Sequence, residues 1–452
     1  MNILRKLLFI PVIILLYVNI YASIGPYKIH GQPSTNLFLI NENTPIVILS
    51  EAITIDYTGP PVENIVDQIY LNGSIVSTYE LLNDSDIEQT VQMAIAYVGS
   101  LASMERIRIQ VNGKDTPFTP YFGEVFKGYT HIGQVIPEAK YNYTAIADSI
   151  RNGLYEPKNF SCDEVGVLYT FDVASDIDRI LFDVELDYNP ENSKVFVNEG
   201  FHWWEYGNKG RQSSYVYKTC TLSMFVLGEQ FDFKYNAYTD NTRNTEVEAY
   251  TCNVTNEKQS IYEFLYTIAH SSSYKIPNKE LYVTYSTQAL DEAFTIYNGF
   301  GTLNELIPYS EKRISACGFF VTFPPDSKKK IVIKQDTFAS MNRKHTRNQY
   351  TPVFSEKFLF NTLNNWASIG NVSINIILHD KAPFIVYSNL KFEKNEYNTY
   401  HATFDGLPTK NLIFFMHAEK WVRIKFIYLF GVLFAIMFFL FFRCRMRRRN
   451  RQ

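Results

Sequence analysis

The chain has 452 residues, with 43 Lys and Arg against 46 Asp and Glu, a length that holds two or three domains of ordinary size. Ten of the bases fall in residues 1–22 and 421–452, and every acid lies between them. Residues 23–420 therefore carry 33 bases against 46 acids, near −13. An acidic body excludes a broad nucleic-acid binder, whose footprint is a basic surface.

Taken in order, the chain opens with Arg5 and Lys6 ahead of an apolar stretch, Leu7 to Ala22. A basic start, a short apolar run and a small residue at the end read as a secretory signal peptide over 1–22. An uncleaved anchor is the alternative. The far end agrees with the start. Trp421 precedes an uncharged apolar run of seventeen residues, Phe426 to Phe442, and six arginines follow within nine positions. That pattern predicts a single-pass transmembrane helix at 421–442 with a basic cytoplasmic tail at 443–452. It places the protein in a cell membrane, type I, with its bulk extracytoplasmic.

Between these ends, alternation of apolar and polar residues dominates and the helical period is scarce. Ile180, Phe182, Val184, Leu186 and Tyr188 alternate with Arg179, Leu181, Asp183, Glu185 and Asp187. Val91 to Tyr97 and Val372 to Leu378 do the same. Ile107, Ile109 and Val111 run into Asn112-Gly113, a dipeptide suited to a tight hairpin. Further strands are expected at 46–57, 66–82, 213–227, 229–238, 245–254, 280–287, 317–323, 330–335, 384–393 and 411–416. Short helices are expected at Tyr143 to Arg151 and Asn256 to His270, with a linker at Tyr155 to Asn159 and a boundary near Asn342 to Pro352. The predicted class is mainly β, as two or three β-sandwich-like extracytoplasmic domains. The divisions are an N-terminal β domain at 23–152, a central β-rich domain at 160–345 and a C-terminal β module at 350–418.

Cys162, Cys220, Cys252 and Cys317 lie in the expected extracytoplasmic part, where base rates favour two disulfides; three pairings are open, and buried free thiols are the alternative. Six Asn-X-Ser/Thr sequons begin at Asn72, Asn83, Asn142, Asn159, Asn253 and Asn371. In this Asn-rich chain several arise by chance.

The densest group of chemistry-bearing residues is Glu199 to Gly207, which holds His202, Trp203, Trp204, Glu205 and Tyr206. Paired tryptophans beside a tyrosine can stack on a sugar or peptide, although a loop covering the end of a sandwich has the same composition. His202 and Glu205 fall on opposite faces of a strand, which argues against a shared metal. Asp84, Asp86 and Glu88 lack the glycine and distal glutamate of a calcium loop and read as an acidic turn. Lys328, Lys329, Lys330 and Lys334 form a candidate anion patch or, alternatively, the guard of an edge strand. Ile331 and Ile333 alternate with these lysines, and Phe319 to Pro325 is placed to pair with them. No GxSxG, HExxH, P-loop or GxGxxG pattern occurs, and no cofactor is implied.

Two stretches, Asp67 to Lys114 and Phe358 to Leu378 with Tyr400 to Pro408 after it, resemble uncharacterised single-pass surface proteins of Gram-positive bacteria. They cover about a quarter of the chain. The resemblance implies a β fold and a tethered topology, and it transfers no site. Within it, Trp366 is expected to anchor the core beneath a sheet and Gly370 to turn the chain at positive φ. The reading favours a non-enzymatic binding or envelope-structural role, with a surface glycan, an envelope polymer or a protein as partner. An ectoenzyme acting on a glycan or peptide near Glu199 to Gly207 is the alternative.

Overall fold

The computed structural model describes residues 31–419, except 33, 35, 41–43, 60–69, 126–142, 198–200, 205–208, 272–277, 307–311, 343–344, 347–350, 361–365 and 367. The alternation read from the sequence becomes four sheets among the described residues. The largest has 11 strands and is built on Ile46–Asp56, Tyr70–Asn83 and Lys328–Met341. Tyr70–Asn83 lies between the other two and pairs antiparallel with both. Ile369–Ile377 joins in parallel beside Ile46–Asp56. Strands from all three expected β divisions thus share one sheet.

One face of these long strands is buried and serves two cores, apolar toward both ends and interrupted between them by Glu51, Ser77, Gln335 and Thr337. At one end Ile46, Ile48, Tyr79, Leu81, Ile331 and Ile333 meet the inner face of a five-stranded sheet, with Met93, Ile95, Phe319 and Val321 opposite. At the other end Ile53, Ile55, Leu71 and Ile75 share a core with Val372 and Ile374 of the adjacent strand and with Phe414 and Met416. Trp366 belongs to the first core, 8% exposed, and its indole N–H donates to the Leu37 carbonyl at 2.7 Å. The expectation of a core anchor is met. Gly370 differs from expectation, since it is not among the positive-φ glycines. A Cβ there would lie 2.0 Å from the Leu49 carbonyl oxygen, so its role is close approach of two backbones at an irregularity in Ile46–Asp56.

A polar belt crosses the same face of the sheet as the two cores. Tyr57 donates to Glu356 Oε2 at 2.6 Å, and Thr337 donates to the same oxygen at 3.1 Å. Gly73 makes room for the Tyr57 ring, for a Cβ there would come within 2.8 Å of it. Burial pushes the Glu356 carboxyl up to about 8 against the pull of these donors, and it pushes Glu51 up to about 7. Glu356 is therefore held largely neutral inside the fold near pH 7, and Glu51 is about half protonated there.

The central sandwich, formed from 165–302, is inserted between Thr119–Val125 and Arg313–Phe323, adjacent strands of the five-stranded sheet. Val165–Ala174, Ser193–Val197, Thr219–Gly228, Thr251–Ser260 and Phe300–Thr302 form one layer. Ile180–Asp187, Phe201–Trp204, Lys209–Val216 and Phe233–Tyr238 form the other. Phe171, Phe182, Val184, Leu222 and Met224 fill the space between. Helices Ile261–Ser271 and Lys279–Ile296 join this insert to the rest. Phe264, Tyr282 and Leu290 share one core with Phe196 and Phe225 of the sandwich and Ile95 of the five-stranded sheet.

Several expectations are revised. Residues 280–287 are helical, because Asn278 caps Leu281 N–H at 3.0 Å and Leu281, Tyr282, Tyr285, Ala289 and Ala293 bury one broad stripe. The helix expected from Asn256 begins at Ile261. Ser260 and Glu263 form a capping box there: Glu263 Oε2 accepts from Ser260 N–H at 2.9 Å, and Ser260 Oγ accepts from Glu263 N–H at 3.2 Å. The helix Tyr143–Asn152, stopped by Gly153 at φ 107°, and the Asn112-Gly113 hairpin with φ of 50° and 79° agree with expectation.

The expected C-terminal membrane span is corrected, and with it the single-pass type I topology and the assignment to a cell membrane. Among the described residues no helix is long and apolar enough to cross a membrane. The longest, Lys279–Ile296, carries Lys279, Glu280, Asp291 and Glu292. Residues 1–22, 421–442 and 443–452, on which the signal peptide, the span and the basic tail were placed, lie outside the described residues.

Trp366→Ala is expected to cost about 3–5 kcal/mol of unfolding free energy, read from denaturant midpoints. A second outcome concerns pH. Glu356 keeps its proton in the fold up to about 8, whereas the unfolded chain loses it near 4.5. Stability contributed by this group is full below about 4.5 and falls as pH rises toward 8. Glu356→Gln, which stays neutral, is expected to flatten that fall in melts taken across the range.

Candidate binding groove of the central sandwich

The two layers of the sandwich both end on one side, at Phe233–Tyr238 in one sheet and Thr251–Ser260 in the other. The segment between these edges folds back along the first. Tyr238 and Glu246 form a bridge, and Val247 N–H donates to the Ala237 carbonyl at 2.9 Å. Beyond it the chain crosses to the second sheet, where Ser175 Oγ holds the Ala249 carbonyl at 2.9 Å. The crossing leaves a groove of about 380 Å³, lined by Tyr235, Glu246, Val247, Glu248, Tyr250 and Cys252 among others.

The walls are set by packing beneath. The Tyr235 ring lies 5.9 Å from Phe182 and 6.4 Å from Phe171, and the Tyr250 ring lies 5.8 Å from Phe182. Their bodies belong to the core and their edges face the groove. Burial raises the Tyr250 hydroxyl, and it pushes the Cys252 thiol up to about 11 with help from the nearby Asp172 carboxylate. The thiol is therefore protonated at neutral pH. Glu246 and Glu248 are exposed and give the groove an acidic rim.

The turn above the groove is fixed by an ion pair. Asp183 is 0% exposed and faces Ser213 and Asn236 on the neighbouring strands. Arg243 Nε donates to Asp183 Oδ2 at 2.5 Å and Nη2 to Oδ1 at 3.3 Å, a two-point contact. Arg211 Nε lies 3.6 Å from the same carboxylate. Arg243 holds φ at 59°, an uncommon conformation for a residue with a Cβ, and Asp240 supports the turn by accepting from Thr242 N–H at 2.8 Å. Tyr215 adds a hydrogen bond to Asn241 Oδ1 at 2.9 Å.

The aromatic cluster singled out in the sequence lies elsewhere. His202, Trp203 and Trp204 belong to the strand Phe201–Trp204, whose backbone pairs His202 with Gln212, Trp203 with Arg211 and Trp204 with Gly210. This is the edge of the sheet opposite to the groove. Glu205 and Tyr206 lie outside the described residues.

Lys328, Lys330 and Lys334 point outward, as alternation required, and Lys329 lies 6.0 Å over the Phe323 ring. The edge-strand reading is corrected, because Lys328–Met341 lies inside the large sheet. Tyr70–Asn83 flanks one side, and Arg108–Val111 and Phe354–Phe358 flank parts of the other. Lys330 sits directly opposite Glu80. The expected partner, Phe319 to Pro325, belongs largely to Arg313–Phe323 in the five-stranded sheet, and the chain changes sheets between the two strands.

Cys162, Cys220, Cys252 and Cys317 are all free, so the expected disulfides do not form. Cys220 and Cys252 are both register partners of Val173, one on each side, which leaves a whole strand between them. No group of three or more acids, histidines or cysteines placed to hold a metal occurs among the described residues. Two sequon amides are already engaged: Asn83 Nδ2 donates to Ile87 O at 2.8 Å, and Asn159 Nδ2 donates to Asp291 Oδ1 at 2.9 Å. Asp291 also accepts from the Lys158 and Asn159 N–H groups and from the Tyr155 hydroxyl, so the expected linker is pinned to a helix.

Glu246, Glu248, Tyr235 and Tyr250 had no signal as a group. The strand that carries Tyr235 was legible, but Glu246, Glu248 and Tyr250 lie on the segment that crosses to the second sheet, ahead of the strand Thr251–Ser260.

No family model matches the chain, and none of the curated proteins matches it. Among solved structures it is similar to a candidate nutrient-binding protein of Legionella pneumophila, at 9% identity and a TM-score of 0.34, covering 85% of this chain and 70% of that one. A family 78 glycoside hydrolase, the rhamnosidase of Bacillus sp. GL1, matches at 7% identity and a TM-score of 0.14, over 72% and 33% of the two chains. The yeast delta-COP-I mu-homology domain bound to a peptide matches at 10% identity and a TM-score of 0.09, over 48% and 97%. At these scores none carries an argument about fold or function, and none bears on the resemblance to Gram-positive surface proteins.

Arg243→Ala leaves a fully buried Asp183 with only the longer Arg211 contact. It is expected to lower unfolding free energy by about 3 kcal/mol. Adding Asp183→Asn is expected to restore part of that loss, since the uncompensated charge is then gone; thermal melts of the single and double variants check both.

Proposed function

We propose that this chain is a binding protein whose central sandwich takes up an extended segment of a protein partner along Thr251–Ser260. A basic side chain of that segment would enter the groove between Glu246 and Glu248. The single observation that carries this reading is the placement of an acidic, aromatic-walled groove beside an edge strand. Thr251–Ser260 pairs over its whole length with Val165–Ala174, and among the described residues no strand pairs with its other side. An edge with unpaired N–H and C=O groups accepts an added strand, while side-chain pockets alongside supply specificity. Tyrosine rings offer a flat apolar wall to the stem of a lysine or arginine, and two glutamates meet its charge. The acidic body, near −13 over residues 23–420, favours encounter with a basic segment.

The test uses a fluorescent peptide of alternating Lys and Thr, with a Glu-Thr peptide as control, read by anisotropy. The Lys-Thr peptide is expected to bind with an affinity that falls as salt rises. Glu246→Lys combined with Glu248→Lys is expected to weaken it at least about tenfold, the effect of roughly 1.4 kcal/mol. Equal binding by the parent and the doubly reversed variant would remove the groove from the reading.

A further inference from the structure

At the C-terminal end of the large sheet the two outermost strands come together. Phe384–Ser388 begins the strand order and Glu393–Lys394 ends it, yet residues from both ends are in contact. Tyr400, beside Glu393–Lys394, donates its hydroxyl to the Pro383 carbonyl at 3.3 Å and accepts from Ile385 N–H at 3.2 Å. The Phe384 and Tyr397 rings meet at 6.1 Å, nearly perpendicular at 73°. The sheet has curled until its edges touch.

Three rings surround one point on this seam, and the ammonium of Lys394 occupies it. Lys394 Nζ lies 4.9 Å from the centre of Phe384, 5.4 Å from Tyr397 and 5.9 Å from Tyr400. Tyr400 is 7% exposed and fixed by its two backbone contacts, whereas Tyr397 is 61% exposed and forms the outer wall. Among the described residues no carboxylate lies within ion-pair distance of Lys394. Glu393 and Glu396 of the same hairpin are exposed and add negative potential around the opening.

We propose that this cage is a binding site for a quaternary ammonium group, which Lys394 fills in the absence of ligand. The chemistry favours the exchange. A primary ammonium is compact and strongly hydrated, so sitting among rings costs it water, and its four-carbon stem is free to swing away. A trimethylated nitrogen carries the same charge with a weaker hydration shell and covers more of each ring face, which is the basis of its recognition by aromatic cages. The site is on a different domain from the groove and does not depend on it.

Choline, a trimethyl-lysine peptide and 3,3-dimethyl-1-butanol, the neutral carbon analogue of choline, are titrated into the full chain by calorimetry. Choline and the peptide separate a small-molecule source from a modified side chain, and binding of either supports the site. Lys394→Ala removes the resident ammonium and is expected to tighten binding of the cations roughly threefold to fivefold. Adding Tyr397→Ala, a change at an exposed ring, is expected to abolish that gain. Equal binding of the neutral analogue, no gain in Lys394→Ala, or a gain that survives Tyr397→Ala would each overturn the proposal.

Discussion

The pairing of Tyr70–Asn83 with Lys328–Met341 is the contact on which the rest depends. It runs from Leu82 opposite Lys328 to Tyr70 opposite Ser340. Closing a loop of that length has an entropic cost that grows only with its logarithm, so the long connection is tolerable once the pairing buries enough surface. Here it does so twice, because the continuous inner face supports both cores. Each β module would expose an apolar face if this pairing were lost.

Two kinds of polar group interrupt the apolar interior. Burial raises both Glu51 and Glu356, and Glu356 keeps Tyr57 and Thr337 as fixed donors in the polar belt. Asp183 is met instead by two arginines. The difference follows from what lies near each group: the belt supplies hydroxyls, while the face of the sandwich sheet supplies guanidinium groups. The first arrangement sets the register of strands in the large sheet. The second fixes the turn over the groove, so the walls of the groove depend on an interaction outside it.

The groove and the aromatic cage both occur where a sheet ends. An edge strand leaves backbone groups and side chains that a central strand would cover. In the sandwich that opening is lined by acids beside tyrosines. At the C-terminal seam it is closed by contact between the two outermost strands, and the rings left over gather around Lys394. Of the outward lysines, Lys334 has a strand paired on each side, whereas the pairing with Arg108–Val111 stops short of Lys328 and Lys330.

The sequence by itself determined the periods. Alternation located most strands, Asn112-Gly113 set a hairpin, Gly153 stopped a helix, and the place of Trp366 before a strand marked a core residue. These signals are local, carried by neighbours within a few residues. Lys279–Ile296 escaped because Leu281, Val283 and Tyr285 also alternate, and the Asn278 cap that decides the matter is a single side chain. The Ser260–Glu263 capping box was present in the sequence and marks the start of its helix without ambiguity. Tertiary structure decided which strands share a sheet, and so it decided that the cysteines stay apart, that the lysine strand is interior and that Glu246 and Tyr250 face the same opening as Tyr235. Phe384, Lys394, Tyr397 and Tyr400 lie close in sequence, yet nothing local says that opposite ends of one sheet will meet there. That meeting follows from twist accumulated over many strands, a property no short stretch of chain contains.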